Sequence, residues 1–221
     1  MYAESMQMKD QDLPIWAVLT ADQRHSRRSP DQVPHALARL EALSDRFVLG
    51  FERTAGDEIQ GLTDKPEAVV DAVLTLSRSP DWHVGIGLGT VDLPLPGSTR
   101  EARGPAYLAA RTAVEQARSA PAHLRLVGSD PVGAGRYGEN VVQRAEAALV
   151  MLRALVNRRT PQGWEIMDLL DETGSGKLAA TRMGISPSAV SQRASRSARA
   201  ESQLGAELAR QLLSEAMGVE R

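Results

Sequence analysis

The chain contains no cysteine, which excludes disulfide staples and thiolate-held metals and predicts a reducing, cytoplasmic setting. It also lacks any apolar run approaching the roughly 20 residues that a membrane-spanning helix needs. Met1–Leu13 is polar and mixed in charge where a secretory leader would be apolar. No membrane partner is therefore expected. One stretch lacks acidic side chains: Thr173–Arg199 carries Lys177, Arg182, Arg193, Arg196 and Arg199 with no Asp or Glu, whereas Met1–Glu172 is net −5. That asymmetry suits a module that contacts phosphates, although a solvated basic helix face would read the same way. With 221 residues, 42% of them apolar, the chain can bury a sizeable core. Two domains are expected, residues 1–138 and 139–221.

Hydrophobic spacing gives the order of elements in the first of these. Ile15–Leu19 reads as a buried strand ending at Thr20-Ala21-Asp22, and Val33, Leu37, Leu40 and Leu43 recur at helical spacing within Pro30–Leu43. Phe47–Thr54 and Ile59–Leu62 flank a hairpin turn at Ala55-Gly56-Asp57-Glu58. A helix follows from Pro66 to about Ser79, then the glycine-punctuated strand His83–Leu93, a helix over Pro105–Ser119 and a short strand over His123–Val127. Gly85, Gly87 and Gly89 within a strand predict a backbone that a neighbour approaches closely. This order predicts an α+β fold with a ferredoxin-like split βαβ core plus one added helix and strand: an antiparallel sheet with its helices on one face. Gly128–Gly138 reads as a linker, and Asn140–Arg158 as a long helix able to pack on either domain.

The second domain reads as all-α. Thr160-Pro161 opens a helix with a capping threonine and a first-turn proline. Lys177–Met183 and Pro187–Ser197 then flank Gly184-Ile185-Ser186, with small Ala180 at the crossing, Gly184 supplying a positive φ, Ile185 buried and Ser186 capping the second helix. This spacing, centred on Leu178–Ser197, predicts a helix-turn-helix that binds double-stranded DNA. Ser188, Ser191 and Gln192 would face outward with Gln192 reading bases, while Lys177, Arg182, Arg193 and Arg196 would neutralise phosphates and Ser186 would sit at the interface. The segment resembles the helix-turn-helix of MarR-like regulators over about Pro161–Ser197. It lacks a wing, because Ala198–Met217 is one more helix, whose Leu204, Leu208, Leu212 and Leu213 predict a homodimer contact.

In the first domain, Asp22 at a strand end and Asp57 in the hairpin are placed to come together and to hold a divalent cation, Mg²⁺ being the usual one with two carboxylates and phosphate oxygens. The bland reading of each is a loop cap and ordinary hairpin chemistry. Arg24, His25, Arg27 and Arg28 read as a mobile basic loop; His35, His83 and His123 read as isolated. Ala21-Asp22, Thr54-Ala55-Gly56-Asp57-Glu58-Ile59-Gln60-Gly61-Leu62, Val84-Gly85-Ile86-Gly87 and Gly104-Pro105-Ala106-Tyr107 together resemble the SatD-like family over about Ile15–Val127. Its core in turn resembles the palm fold of class III nucleotide cyclases and diguanylate cyclases. The resemblance implies metal ligation by Asp22 and Asp57 and contacts to a nucleotide, or a cyclic nucleotide, from Gly56, Glu58 and Arg111. It also carries departures: Tyr107 stands where those enzymes have an asparagine, Arg53 where they have a base-selecting lysine, and Ala55-Gly56 where diguanylate cyclases have paired glycines. The combined reading is a DNA-binding transcription regulator whose palm-like domain senses a nucleotide. The alternative is a metal-dependent nucleotide cyclase or nucleotidyl transferase with an accessory helix-turn-helix.

Overall fold

The fold is built on β1 (Trp16–Gln23), whose side chains are buried on both faces: Ala17, Leu19 and Ala21 on one, Val18 and Thr20 on the other. A strand buried on both sides must be central, and β1 pairs antiparallel with β3 (Glu58–Thr63) and with β4 (Trp82–Gly89). β2 (Leu49–Arg53) extends one edge through β3, and β5 (Leu124–Gly128) extends the other by pairing parallel with β4. The computed structural model describes residues 14–79, 81–129 and 138–219. Its sheet has the order β2-β3-β1-β4-β5. The protein is thus α+β with a five-stranded mixed sheet. The expected fully antiparallel sheet is corrected at its last strand. Most of the 128–138 segment, expected to be a linker, lies outside the described residues.

Helices cover both faces, which corrects the expectation of one. On the face of Ala17, Leu19 and Ala21, α1 (Val33–Leu40) and α2 (Pro66–Leu76) bury Val33, Leu40, Val69, Val73 and Leu76 with Trp82, Val84, Ile86 and Leu88. On the other, α3 (Pro105–Ala117) lies against Val18 and Leu62 through Ala106 and Ala110. The glycine-rich strand dictates this. A Cβ at Gly85 would lie 2.2 Å from Val114 N, and one at Gly87 2.2 Å from Ala106 O and from Ala110 N, so only glycine lets the α3 backbone sit there. The β3-α2-β4 and β4-α3-β5 connections both join parallel strands and step in the same direction across the sheet, yet lie on opposite faces. They therefore have opposite hands, and one of them has the hand that such crossovers rarely take.

The C-terminal helices divide between two cores. α4 (Gly138–Val156) and α8 (Arg199–Met217) bury Ala145, Leu149, Leu152, Ala206, Ala209, Leu213 and Met217 in the same cluster as the sheet. Between them, α5 (Pro161–Thr173), α6 (Gly176–Met183) and α7 (Pro187–Arg196) close a separate small core of Ile166, Ala179, Ala180 and Val190. Leu212 and Leu213 of α8 are used within the chain, while Leu204 and Leu208 stay exposed. Buried Arg153 of α4 donates to His123 O at 2.6 Å and Trp82 O at 2.7 Å, locking α4 to the start of β4 and β5. The three-helix unit is joined to the sheet body by Arg78, which forms a two-pronged ion pair with Asp168 and lies over the Trp164 ring at 4.6 Å, where Arg159 also stacks at 4.8 Å. Among the described residues no helix is long and apolar enough to cross a membrane.

Candidate functional sites

The α6–α7 pair is shaped by its ends. Ser175 caps α6 by accepting from Leu178 N at 3.5 Å, and Gly184 ends it with φ +63°, letting Ile185 N bond back to Ala180 O at 3.1 Å. Ser186 then caps α7, accepting from Ala189 N at 3.2 Å, with Pro187 in the first turn. These local bonds fix the angle between two short helices whose shared core is small. Ile185 is only partly buried, where the spacing implied full burial.

Around α7, Val190 points into the core, while Ser188, Ser191, Gln192, Ser195 and Arg196 are exposed and Arg193 lies to one side, also exposed. The Gln192 side chain has no hydrogen-bond partner among the described residues, which leaves its amide oxygen and nitrogen open to a partner. Ser191 donates to Pro187 O at 3.2 Å, and the Ser186 and Ser188 hydroxyls bond each other at 2.9 Å. The predicted cations differ in availability. Lys177, Arg193 and Arg196 are exposed with no ion-pair partner among the described residues, whereas Arg182 is 2.5 Å from Glu172.

A second site opens at the C-terminal end of β1. A cleft of ≈ 500 Å³ is lined by Asp22, Gln23, Arg24, His25, Ser26, Arg27, Arg28, Asp57, His83 and Arg118. Asp22 pairs across the sheet with Glu58 in register, and Gln23 N donates to Asp57 O at 3.3 Å, so the two aspartates share one rim as expected. Burial raises the Asp22 pKa, and the nearby Asp57 charge raises it further against the opposing pull of Arg118. The basic loop is tied together at its base. Buried Gln23 donates to Pro30 O at 2.8 Å and to Ser29 Oγ at 3.1 Å and accepts from Gln32 N at 2.9 Å, clamping both ends of the loop together.

The remaining expected ligand residues are dispersed. Glu58 turns to Thr54, whose hydroxyl donates to it at 2.6 Å, and Gly56 holds the hairpin with φ +58°. Arg111 does not line the cleft: it is 80% exposed and pairs with Glu115 one turn along α3. The arginine that reaches Asp22, at 3.2 Å, is Arg118, just past the end of α3. Seven residues at a rise of 1.5 Å put it roughly 10 Å further along the helix axis than Arg111. Tyr107 fills the second sheet face, its hydroxyl 3.2 Å from the buried Thr99 hydroxyl.

The histidines also need correction. His83 and His123 are not isolated: their rings meet edge to face with centroids 5.1 Å apart, and both Nδ1 atoms are buried without a partner. Burial, then the His123 and Arg24 charges, push the His83 pKa down to about 4, so the ring is neutral at physiological pH. His35 stands apart from this pair, on α1. Among the described residues no three metal-binding side chains cluster, and Asp22 and Asp57 are the two carboxylates that line this cleft. The chain matches no known protein family, no curated protein and no solved structure.

Proposed function

We propose that the protein is a DNA-binding transcription regulator in which α6 and α7 form a helix-turn-helix and α7 enters the major groove. The observation that carries this reading is the outer face of α7: an unengaged Gln192 flanked by serines and bordered by unpaired Arg193 and Arg196, in a segment free of carboxylates. A glutamine amide matches the adenine edge, and arginines at its margin match phosphates. Site selection from random duplexes tests the assignment of roles. Gln192→Ala lowers discrimination at one base pair by about 1–3 kcal/mol. Arg196→Ala weakens all sequences alike. If both variants select the same site as the parent with the same strength, α7 is not the reading element.

The sheet body is the sensing part in this reading. Its strand order β2-β3-β1-β4, with α1 and α2 on one face, supports reading it as a ferredoxin-like or palm-like core, and the cleft at the β1 end is where a ligand would sit. The ligand is a nucleotide whose phosphates meet Arg27, Arg28 and Arg118, with Asp22 and Asp57 holding a divalent cation such as Mg²⁺ between carboxylate and phosphate. That cation would neutralise phosphate charge on binding. The enzymatic alternative is disfavoured by Arg111, which pairs with Glu115 away from the cleft. A thermal-shift screen of nucleotides with Mg²⁺ tests the sensor: a hit is lost in Asp57→Ala and changes DNA affinity by the factor by which DNA changes nucleotide affinity. Absence of any nucleotide shift removes the sensing role and leaves the DNA reading standing.

A further inference from the structure

A hollow of ≈ 340 Å³ beside α7 is lined by Arg158, Arg159, Thr160, Gln162, Gly163, Arg193, Arg196 and Ser197. Four arginines, two from the α4–α5 connection and two from the end of α7, line one concavity with no carboxylate among its lining residues. Like charges gathered in a recess repel one another, and Arg158, Arg193 and Arg196 have no ion pair among the described residues to offset this. Arg159 is fixed in place: it donates to Ser197 O at 2.8 Å and Ser202 Oγ at 2.5 Å and stacks on Trp164, with the Asp171 charge acting on it from outside the hollow. The recess is therefore suited to an anion that none of its lining residues supplies.

We infer that this hollow seats a backbone phosphate of the same duplex that α7 reads, extending the DNA interface to Arg158 and the α4–α5 connection. The inference rests on the DNA-binding reading. Guanidinium forks match phosphate oxygens bidentately, and α5 begins at the hollow, adding the positive end of a 13-residue helix. Continuity with the reading face follows from helix geometry. Arg196 is four residues after Gln192, roughly 40° around α7 at 3.6 residues per turn, so one duplex lying on Gln192 reaches the rim of the hollow.

The test is the salt dependence of duplex binding by the whole chain, measured by fluorescence anisotropy. Each lost phosphate contact lowers the slope of log affinity against log salt by about 0.9. Arg158→Gln is expected to lose about that much slope on every duplex sequence, Arg158→Lys to retain most of it, and Arg39→Gln, at an exposed position of α1, to match the parent. If Arg158→Gln lowers the melting temperature, Gln162→Glu, which puts a carboxylate on an exposed lining position outside α7, is expected to lower the slope in the same way and decides the question. An unchanged slope with duplex binding intact overturns the hollow and leaves α7 as the reader. A melting-temperature rise given by inorganic phosphate alone, and lost in Arg158→Gln, reassigns the hollow to a free anion and overturns the backbone seat. No duplex binding by the parent protein at low salt overturns both.

Discussion

The contact between β4 and α3 and the unit formed by α5, α6 and α7 use their residues in opposite ways. At the first, position is set by backbone against backbone: Gly85 and Gly87 leave no room for even a methyl group beneath α3. At the second, four side chains make up the fully buried core and the helix ends do the positioning, through Thr160, Ser175 and Ser186 as caps and Gly174 and Gly184 as left-handed stops. A Cβ at Gly184 would meet nothing within 4 Å. The contrast teaches where function is free to change. Residues on the outer face of α7 can be exchanged with little effect on folding, while the sheet that carries the acidic rim tolerates almost nothing between its layers.

Three measurements probe this contrast. The largest effect is expected from Gly87→Ala, whose Cβ meets backbone atoms that no rotamer change can move; urea unfolding should show a loss of about 3 kcal/mol or more. A loss below about 1 kcal/mol would mean that α3 is loosely held. Next comes acid sensitivity. The folded His83 resists protonation down to about pH 4, whereas the unfolded ring takes a proton near 6.5, so stability falls as pH drops from about 6.5 toward 4. Burial likewise lowers the His123 pKa and acts in the same direction. Because His83 is only partly buried, its share is about 1–2 kcal/mol, and His83→Gln should flatten the stability profile in that window. The smallest effect belongs to the helical unit. Gly184→Ala strains a positive φ in open space, and Ser186→Ala removes one cap; each should cost about 1 kcal/mol and leave the sheet unchanged in hydrogen exchange.

Much of this architecture is legible in residue order, and what is not shares one cause. The hairpin at Gly56, the close approach at Gly85 and Gly87 and the caps at Ser186 and Gly184 are local, each set by one residue's own conformational needs or spacing. The face chosen by α3 is not local: glycines announce an approaching backbone without saying from which side, and β4 is buried on both. His83 and His123 meet only because β5 pairs parallel with β4, and Arg118 reaches Asp22 only because α3 runs back along the sheet to its end. The signal for Arg118 was present in the length of α3, whose last turn must return to the β1 end. Nothing in the sequence near Arg158 announces its hollow, which forms when the end of α7 folds back against the α4–α5 connection.

The outer face of α7 is proposed to read DNA. Titrating the whole chain into a random-sequence duplex at about 50 mM salt, then raising the salt, tests it most directly. Binding at low salt that weakens linearly in log–log form, by about 0.9 per phosphate neutralised, is the result predicted; no binding at low salt to any duplex would contradict it.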